Sequence, residues 1–371
     1  MSKKEKKEKI KYYSLDKILS YNATYNVIFG ERSNGKTYAV LKFALSRYFS
    51  EGSQLGIIRR WEEDYKGKNG RQMYENLVNN GEVFKLSKGK WSSIRYWSQS
   101  WWLCNYDENG KIIDQSETPI AFGFALSSEE HYKSSSYPKV RTILFDEFLT
   151  RSYTLPDEFV KFTNILSTII RLRDDVTIFM CGNTVNQDSL YFKEMGLTNA
   201  KKMEKGTIDL YTYGDSGLTV AVEYSDFSGN QKKSDKYFAF DNPKLKMITH
   251  GAWEINIYPH LPHKYDRSNV LYTYYVVYSG DILQCEIIMV ERLLFTYVHR
   301  KTTPIKDDGI SLVYQEEYDP RPNYRRRLTK PTNDIEKKIA EFYTKDKVFY
   351  QSNDIGEIMR NYLMWSSKQQ L

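Results

Sequence analysis

The 371-residue chain has few of the residues that build disulfide-rich, zinc-binding or membrane proteins. Its three cysteines, Cys104, Cys181 and Cys285, are far apart and form no C-x-x-C pair. We therefore predict neither a disulfide framework nor a structural zinc site. No apolar stretch approaches the roughly 18–20 residues that a membrane span needs. Residues 1–11 are rich in lysine and no apolar segment follows them, so we expect a basic tail and not a signal peptide.

What the chain has in abundance is charge of both signs and tyrosine. The 54 Lys and Arg residues outnumber the 47 Asp and Glu residues and give a formal net charge of +7. This excess suits contact with a polyanion, although many proteins that bind no nucleic acid share it. The 31 tyrosines fit the half-buried faces of β-strands. The length predicts two domains.

One motif stands out at the start of the chain. A complete G-x-x-x-x-G-K-[ST] phosphate-binding loop is formed by Gly30, Glu31, Arg32, Ser33, Asn34, Gly35, Lys36 and Thr37. The residues before it predict a buried strand, and Tyr38 to Phe49 predict a helix, which is the context that such a loop requires. We expect Lys36 to reach the β- and γ-phosphates and the Thr37 hydroxyl to bind Mg²⁺. The sequence therefore predicts binding of a nucleoside triphosphate.

A second nucleotide-binding element follows about a hundred residues later. Arg141 to Phe145 predict an apolar strand that ends in Asp146 and Glu147, the Walker B pattern. We expect Asp146 to bind Mg²⁺ and Glu147 to polarise an attacking water, which indicates hydrolysis and not binding alone. Such a pair at a strand end is often only a solvated turn, but the intact phosphate-binding loop favours the functional interpretation.

Two further candidates flank the next predicted strand. Asn183 follows the strand Thr177 to Cys181, where its amide would sense the γ-phosphate; a simple turn asparagine after Gly182 is the alternative. Arg171 and Arg173 end the predicted helix Asp157 to Ile170. They are either helix caps favoured by the helix dipole or supply an arginine finger that acts on the γ-phosphate of a neighbouring subunit. The chain has no Asn-Lys-x-Asp motif, so a GTPase is not expected.

With these motifs, and with Tyr13 to Tyr21, Ser136-Tyr137-Pro138 and Arg171-x-Arg173, the chain resembles a known family. It is similar to the encapsidation (DNA-packaging) ATPases of small tailed phages of the Picovirinae type, over residues 12–195 well and beyond them weakly. The resemblance implies an α/β fold: a terminase-like P-loop ASCE ATPase domain with a second, smaller RNase H-like α+β domain.

The resemblance also implies a function. It implies a homopentameric ring at the portal vertex of a procapsid, in the cytoplasm of an infected bacterium, which uses ATP and Mg²⁺ to drive double-stranded DNA inward. Arg171 would be the trans-acting finger, and Lys133 a second basic residue at the subunit interface; a plain loop lysine is the alternative. The second domain would lack the metal-binding carboxylates of terminase nucleases. Some members dock on a packaging RNA, and for this chain that dependence stays open.

These expectations give a domain plan and two rival functions. We predict a basic tail at residues 1–11, the ATPase domain at 12–200, a linker region at 201–245, and a vestigial nuclease-like DNA-binding domain at 246–371. One rival is a terminase large subunit whose nuclease is active. The other is an assembly protein that ATP switches without turnover, and Glu147 argues against it.

Overall fold

The computed structural model describes residues 13–32, 34–150, 154–185, 189–226, 258–261, 264–306 and 309–368. The chain divides into two compact units, Met1–Trp253 and Glu254–Leu371. The predicted tail at residues 1–11 and the loop residue Ser33 lie outside the described residues.

A ten-stranded sheet forms the centre of the first unit, in the order β3-β4-β6-β2-β7-β8-β1-β10-β9, with β5 paired to β4. Its strands are β1 (Tyr25–Gly30), β2 (Gln54–Arg59), β3 (Ser93–Trp97), β4 (Ser100–Tyr106), β5 (Ile112–Gln115), β6 (Ala121–Ala125), β7 (Val140–Asp146), β8 (Thr177–Asn183), β9 (Ile208–Tyr213) and β10 (Leu218–Ser225). The six neighbouring strands from β6 to β10 run parallel, and β3, β4, β5 and β9 pair antiparallel at the edges.

The parallel strands are mostly apolar because both faces of the sheet are covered. Five consecutive residues of β1 are buried, and β2, β7 and β8 are buried almost as fully. One hydrophobic cluster lies on each face. The helices of this unit are α1 (Asp16–Leu19), α2 (Lys36–Glu51), α3 (Lys68–Gln72), α4 (Glu75–Asn79), α5 (Glu82–Leu86), α6 (Glu158–Ile170) and α7 (Leu190–Glu194).

Part of the predicted linker belongs to this sheet, which corrects the domain plan. Residues 208–225 form β9 and β10, and β10 pairs with β1 along its length. Gly214 and Gly217 lie in the turn between these two strands. β10 covers the edge of β1, which would otherwise be unpaired, and its own last six residues are buried. Residues 227–245 of the predicted linker lie outside the described residues.

A six-stranded sheet forms the second unit, in the order β15-β14-β11-β12-β13-β16. Its elements are β11 (Val270–Tyr278), β12 (Asp281–Val290), β13 (Leu293–Arg300), β14 (Val313–Gln315), β15 (Tyr324–Arg325), α8 (Asp334–Thr344), β16 (Val348–Tyr350) and α9 (Asn353–Lys368). The first three strands form an antiparallel meander, β14 runs parallel to β11, and β15 runs parallel to β14. This is the strand order of the RNase H-like fold that the resemblance implies.

Both long helices of this unit contribute to one hydrophobic cluster with the sheet. Tyr274, Val276 and Leu283 belong to it from the strands, and Ile339 from α8 and Met359 from α9 belong to it from the helices. Both helices follow the fifth strand in the chain. The predicted mixture of strands and helices in this part of the chain is therefore confirmed.

Candidate nucleotide-binding site

The predicted phosphate-binding loop lies between the carboxyl end of β1 and the start of α2. A side chain at Gly30 would collide with Ser225, because a Cβ there would lie 2.3 Å from the Ser225 Oγ. Gly35, immediately before α2, has a φ of 93° in the left-handed region, which glycine adopts without steric cost. The two glycines of the motif thus serve two different needs of the backbone.

Lys36 is buried at the first position of α2. Its Nζ donates to the Glu31 carbonyl oxygen at 2.7 Å, to the Asn34 Oδ1 at 3.1 Å and to the Asn183 Oδ1 at 3.5 Å. Burial lowers the pKa of Lys36 to about 8, although nearby acidic groups such as Asp146 oppose the shift. All three acceptors are neutral oxygens and do not balance the charge of the ammonium group. An anion bound beside Lys36 would balance it.

Thr37 and Asp146 meet where the loop faces the end of β7. The Thr37 Oγ1 donates to the Asp146 Oδ1 at 2.6 Å. A hydroxyl and a carboxylate oxygen are ligands that Mg²⁺ accepts, and this ion usually binds through one or two protein groups together with phosphates and water. Within the described ranges no group of three or more His, Cys, Asp or Glu residues converges. Thr37 and Asp146 are thus the one or two protein ligands that a nucleotide-bound Mg²⁺ ion needs.

Arg59, which ends β2, contacts the Walker B residues, and no motif in the sequence predicted this. Its guanidinium contacts the Asp146 carboxylate, and its Nη1 lies 3.8 Å from the Glu147 Oε2. Burial opposes the charge of Arg59, but the two carboxylates outweigh it and raise the pKa of the guanidinium. The Arg59-Arg60 pair at the end of an apolar strand was the available signal. Its meaning depends on β2 lying beside β7, which the sequence alone does not reveal.

Glu147 follows β7 directly, and its side chain is far more exposed than that of Asp146. Its side chain is 63% exposed, whereas that of Asp146 is 4% exposed. The Glu147 backbone has a φ of 59°, which is uncommon for a residue with a side chain and is concentrated at functional sites. A carboxylate that is exposed at the tip of a buried strand can approach a water molecule beside a γ-phosphate.

Asn183 is the last residue of β8, the strand between β1 and β7. It lies opposite Gly30 in the pairing with β1, and its Oδ1 accepts from Lys36. The carboxyl ends of β1, β7 and β8 thus bring together the predicted residues Lys36, Thr37, Asp146 and Asn183, with Glu147 beside them.

The remaining loop residues have different surroundings. The Glu31 carboxylate lies 3.2 Å from the Lys205 Nζ, and Arg32 is exposed. The Asn34 Nδ2 donates to the Ser225 Oγ at 3.1 Å, and the backbone N–H of Tyr13 donates to the Asn34 carbonyl oxygen at 3.3 Å. The loop is therefore braced by segments from both ends of the first unit.

Arg171 and Lys133 lie away from these residues. Arg171 caps the end of α6, and its Nη2 donates to the Ser135 carbonyl oxygen at 2.8 Å, just before β7 begins. Lys133 is exposed two residues before Ser135 and lies 3.2 Å from the Glu130 carboxylate. Arg173 donates to the carbonyl oxygens of Tyr137, Pro138 and Ile169. The structure thus brings Arg171 to the segment that carries Lys133, at the other end of β7 from Asp146.

No helix in the part of the chain that the structure describes is long and apolar enough to cross a membrane.

The family model of the Podovirus DNA encapsidation protein (Gp16) matches residues 7–87 and 109–239. The DNA packaging protein of Bacillus phage B103 is 28% identical over 185 residues, which are 48% of this chain and 50% of that protein. The chain thus spans about half the length of that relative.

Two solved structures share the fold. One is described as the Phi-28 gp11 DNA packaging motor; it has a TM-score of 0.56 and 17% identity over 97% of this chain and 99% of its own. The other is described as the bacteriophage Phi-29 viral genome packaging motor assembly; it has a TM-score of 0.55 and 18% identity over 95% and 99%. The family model covers more than half of the chain, and the predicted resemblance is confirmed: this chain belongs to the Podovirus DNA encapsidation protein (Gp16) family.

Proposed function

We propose that this protein is an ATP-hydrolysing ring motor that translocates double-stranded viral DNA into a procapsid. The observation that carries the proposal is the convergence of Lys36, Thr37 and Asp146 at one edge of the sheet, with Glu147 beside them. The proteins and assemblies to which the chain is similar are described as DNA packaging proteins and motors. We extend that role to this chain.

Each residue of the edge has a proposed part in binding ATP. Lys36 would neutralise the β- and γ-phosphates, in place of the neutral oxygens that it now contacts. Thr37 and Asp146 would hold Mg²⁺, which supplies charge neutralisation to the phosphoryl group. The backbone N–H groups of the loop and the start of α2 would bind phosphate oxygens.

Hydrolysis would depend on Glu147. The carboxylate would accept a proton from the attacking water, and Arg59 would limit the directions in which it points. Asn183, already within 3.5 Å of Lys36, would hydrogen-bond near the γ-phosphate and respond to its loss. This division of roles separates Lys36, which serves binding, from Glu147, which serves turnover.

The ring and its partners complete the proposal. Arg171 would act on the ATP of a neighbouring subunit, and Lys133 would add positive charge at the same interface, in a homopentameric ring. Double-stranded DNA and the portal of the procapsid are the proposed partners, in the cytoplasm of an infected bacterium. A packaging RNA is a further candidate partner.

The proposal can be tested by measuring ATP hydrolysis and DNA packaging in the same reaction. Purified protein is mixed with portal-bearing procapsids, linear double-stranded DNA and Mg·ATP, and DNA that resists added nuclease is quantified. We expect DNA to stimulate hydrolysis and packaged DNA to accumulate. Lys36→Ala should abolish ATP binding, whereas Glu147→Gln should bind ATP and hydrolyse it about 10²–10⁴-fold more slowly.

Lys42→Ala is the matched control for Lys36→Ala. Lys42 is on the same helix but is partly exposed and contacts Glu82, so this variant should keep both activities. ATP binding without DNA-stimulated hydrolysis in the unaltered protein would favour the switched assembly protein. Hydrolysis at the normal rate by Glu147→Gln would contradict the role of Glu147.

A further inference from the structure

A buried ion pair lies directly behind the Walker B segment. Arg60 follows β2, and its Nε and Nη2 donate to the two carboxylate oxygens of Glu158 at 2.9 and 2.8 Å. Glu158 also accepts from the backbone N–H of Leu155 at 2.7 Å and from the Tyr191 hydroxyl at 2.8 Å. Both charged side chains are almost fully buried. Four hydrogen bonds to one carboxylate make this a fully satisfied buried pair.

The same guanidinium reaches the backbone of the proposed catalytic residue. The Arg60 Nη1 donates to the Glu147 carbonyl oxygen at 3.3 Å, and the Nη2 donates to the Phe148 carbonyl oxygen at 3.0 Å. The next backbone group is also fixed, because the Phe148 N–H donates to the Cys181 carbonyl oxygen at 3.2 Å and the Phe148 ring is buried. The peptide unit that follows Glu147 is therefore held from both sides.

The conformation of Glu147 explains why such a hold is needed. Its φ of 59° is one that residues with a side chain adopt rarely and that persists only where the surroundings impose it. The direction of the Cα–Cβ bond follows from the backbone, and the exposed carboxylate has few other contacts to direct it. If the carbonyl oxygen were released, the backbone would relax towards a commoner conformation and the carboxylate would leave its position.

Only arginine can make this set of contacts at one position. Its planar guanidinium carries five donors in a fixed geometry and can satisfy a carboxylate and two carbonyl oxygens together. Lysine would keep the charge and could still pair with Glu158, but its single ammonium group cannot occupy the same three directions. The Arg60→Lys variant therefore separates the hold on the backbone from the buried charge.

We propose that Arg60, anchored by Glu158, is a positioning residue that fixes the backbone of Glu147 and thereby directs its carboxylate. The inference rests on the proposed function, in which Glu147 acts on the attacking water. It differs from the role of Arg59, which contacts the side chains of Asp146 and Glu147. Arg60 instead donates to the backbone carbonyl oxygens of Glu147 and Phe148.

The test compares Arg60→Lys in two backgrounds, the unaltered protein and Glu147→Gln. In the unaltered background we expect kcat to fall about 10²-fold, the loss that follows a misplacement of about 1 Å. The dissociation constant for ATP should change less than about threefold, because the phosphate-binding loop is not touched. In the Glu147→Gln background the same substitution should lower the residual rate less than about twofold, because there is no carboxylate left to direct.

Tyr191→Phe is the matched control. It removes one hydrogen bond of the same buried network but leaves both contacts of Arg60 with the backbone. We expect a lower melting temperature with kcat nearly unchanged. If Arg60→Lys does not fold at the assay temperature, Glu158→Gln replaces it in the same comparison, because this variant loosens the anchor without changing the side-chain volume.

Three results would overturn the inference. An equal loss of rate in both backgrounds would mean that Arg60 acts through stability alone. An unchanged kcat in folded Arg60→Lys, with Glu147→Gln inactive, would remove the positioning role but leave the proposed function intact. If Glu147→Gln itself retained the normal rate, the general-base role would fail, and the inference would fail with it.

Discussion

Three basic side chains meet at the carboxyl edge of the first sheet, and each is satisfied in a different way. Lys36 contacts neutral oxygens, Arg59 contacts the Walker B carboxylates, and Arg60 forms a buried pair with Glu158. The two arginines have their charge balanced within the protein. The hydrogen-bond acceptors of Lys36 carry no charge, so of the three side chains Lys36 would bind an incoming phosphate most strongly.

Glu286 on β12 is a partly buried carboxylate whose surroundings make the stability of the second unit depend on pH. It accepts hydrogen bonds from Tyr265 and Gln284, and the His299 ring lies 3.6 Å away. Burial opposes its charge, but His299 and these two donors outweigh burial and lower the pKa of Glu286 to about 2. The unfolded chain therefore binds the proton more readily between pH 4.5 and 2, and stability falls as the pH falls through that window.

We expect Glu286→Gln to be less sensitive to acid than the unaltered protein. Because the variant has no carboxyl group to protonate there, its stability should fall less between pH 5 and pH 3. Urea unfolding of the whole chain at both pH values measures the difference, with the transitions of the two units fitted separately. Glu317→Gln, which removes an exposed carboxylate of the same unit, should behave like the unaltered protein. Equal acid sensitivity of Glu286→Gln and the unaltered protein would contradict this interpretation.

At the scale of elements, local signals predicted local structure. The strand–loop–helix around Lys36 and the helix that ends at Ile170 are each contiguous in the chain, and both are present. By contrast, Ser225 lies against Gly30 across almost two hundred residues, and Arg59 meets Asp146 only because β2 lies beside β7. Such contacts depend on the order of strands in the sheet, which no local pattern specifies.

The assignment of β9 and β10 to a linker has a similar physical cause. The predicted linker, residues 201–245, is charged and rich in turn residues as a whole, and only pairing with β1 makes β10 a buried strand. A strand of this kind gains its stability from its neighbours more than from its own propensity. The sequence therefore predicted the strand and the helix that flank the Lys36 loop well and the far edge of the sheet poorly.

Helix α6 separates Arg171 from the Walker B segment. The helix begins at Glu158, behind the Walker B segment, and has 13 residues, so it spans about 20 Å. Arg171 at its end is exposed, and the next residue, Leu172, is fully exposed. A side chain at that distance does not reach the nucleotide of its own subunit, which favours action on a neighbour.

We therefore expect Arg171 to act in trans. Rings mixed from Arg171→Ala subunits, which keep Lys36, and Lys36→Ala subunits, which keep Arg171, should hydrolyse ATP although neither pure ring does. The reason is that an intact ATP site can then face an intact finger. A ring mixed from Lys36→Ala and Glu147→Gln subunits is the control and should recover nothing, since both defects lie in the same site. Without recovery in rings whose mixed composition is verified, Arg171 would be only a helix cap.

At the scale of the whole molecule, much of the basic charge of the second unit is already paired. Three of its basic side chains, Arg300, Arg321 and Arg325, contact Asp281, Asp319 and Glu336 respectively. For Arg292, Arg327 and Lys330 the described residues offer no carboxylate partner. A surface for nucleic acid phosphates would therefore depend on fewer side chains than the composition suggests.

The acidic residues of the second unit argue against the nuclease alternative. A two-metal nuclease needs carboxylates that converge on ions about 3.5–4 Å apart. Asp281 and Glu286 are five positions apart on β12, so they point to opposite faces of the sheet. Each is also engaged, Asp281 with Arg300 and Glu286 with Tyr265 and Gln284. Asp266 caps the turn at Arg267–Asn269.

We therefore expect the protein to bind double-stranded DNA through phosphates and to leave it uncut. Binding should weaken steeply with salt and depend little on sequence, because phosphate contacts release counterions and carry no base readout. Changing Arg292, Arg327 and Lys330 to Gln together should lower the slope of log K against log salt by about one for each lost contact. Lys345→Gln, whose charge is exposed beside Glu341, is the control and should leave the slope unchanged. Plasmid incubated with the protein in Mg²⁺ and then in Mn²⁺ should remain intact, and cleavage that disappears in Asp281→Ala or Glu286→Ala would instead establish an active nuclease.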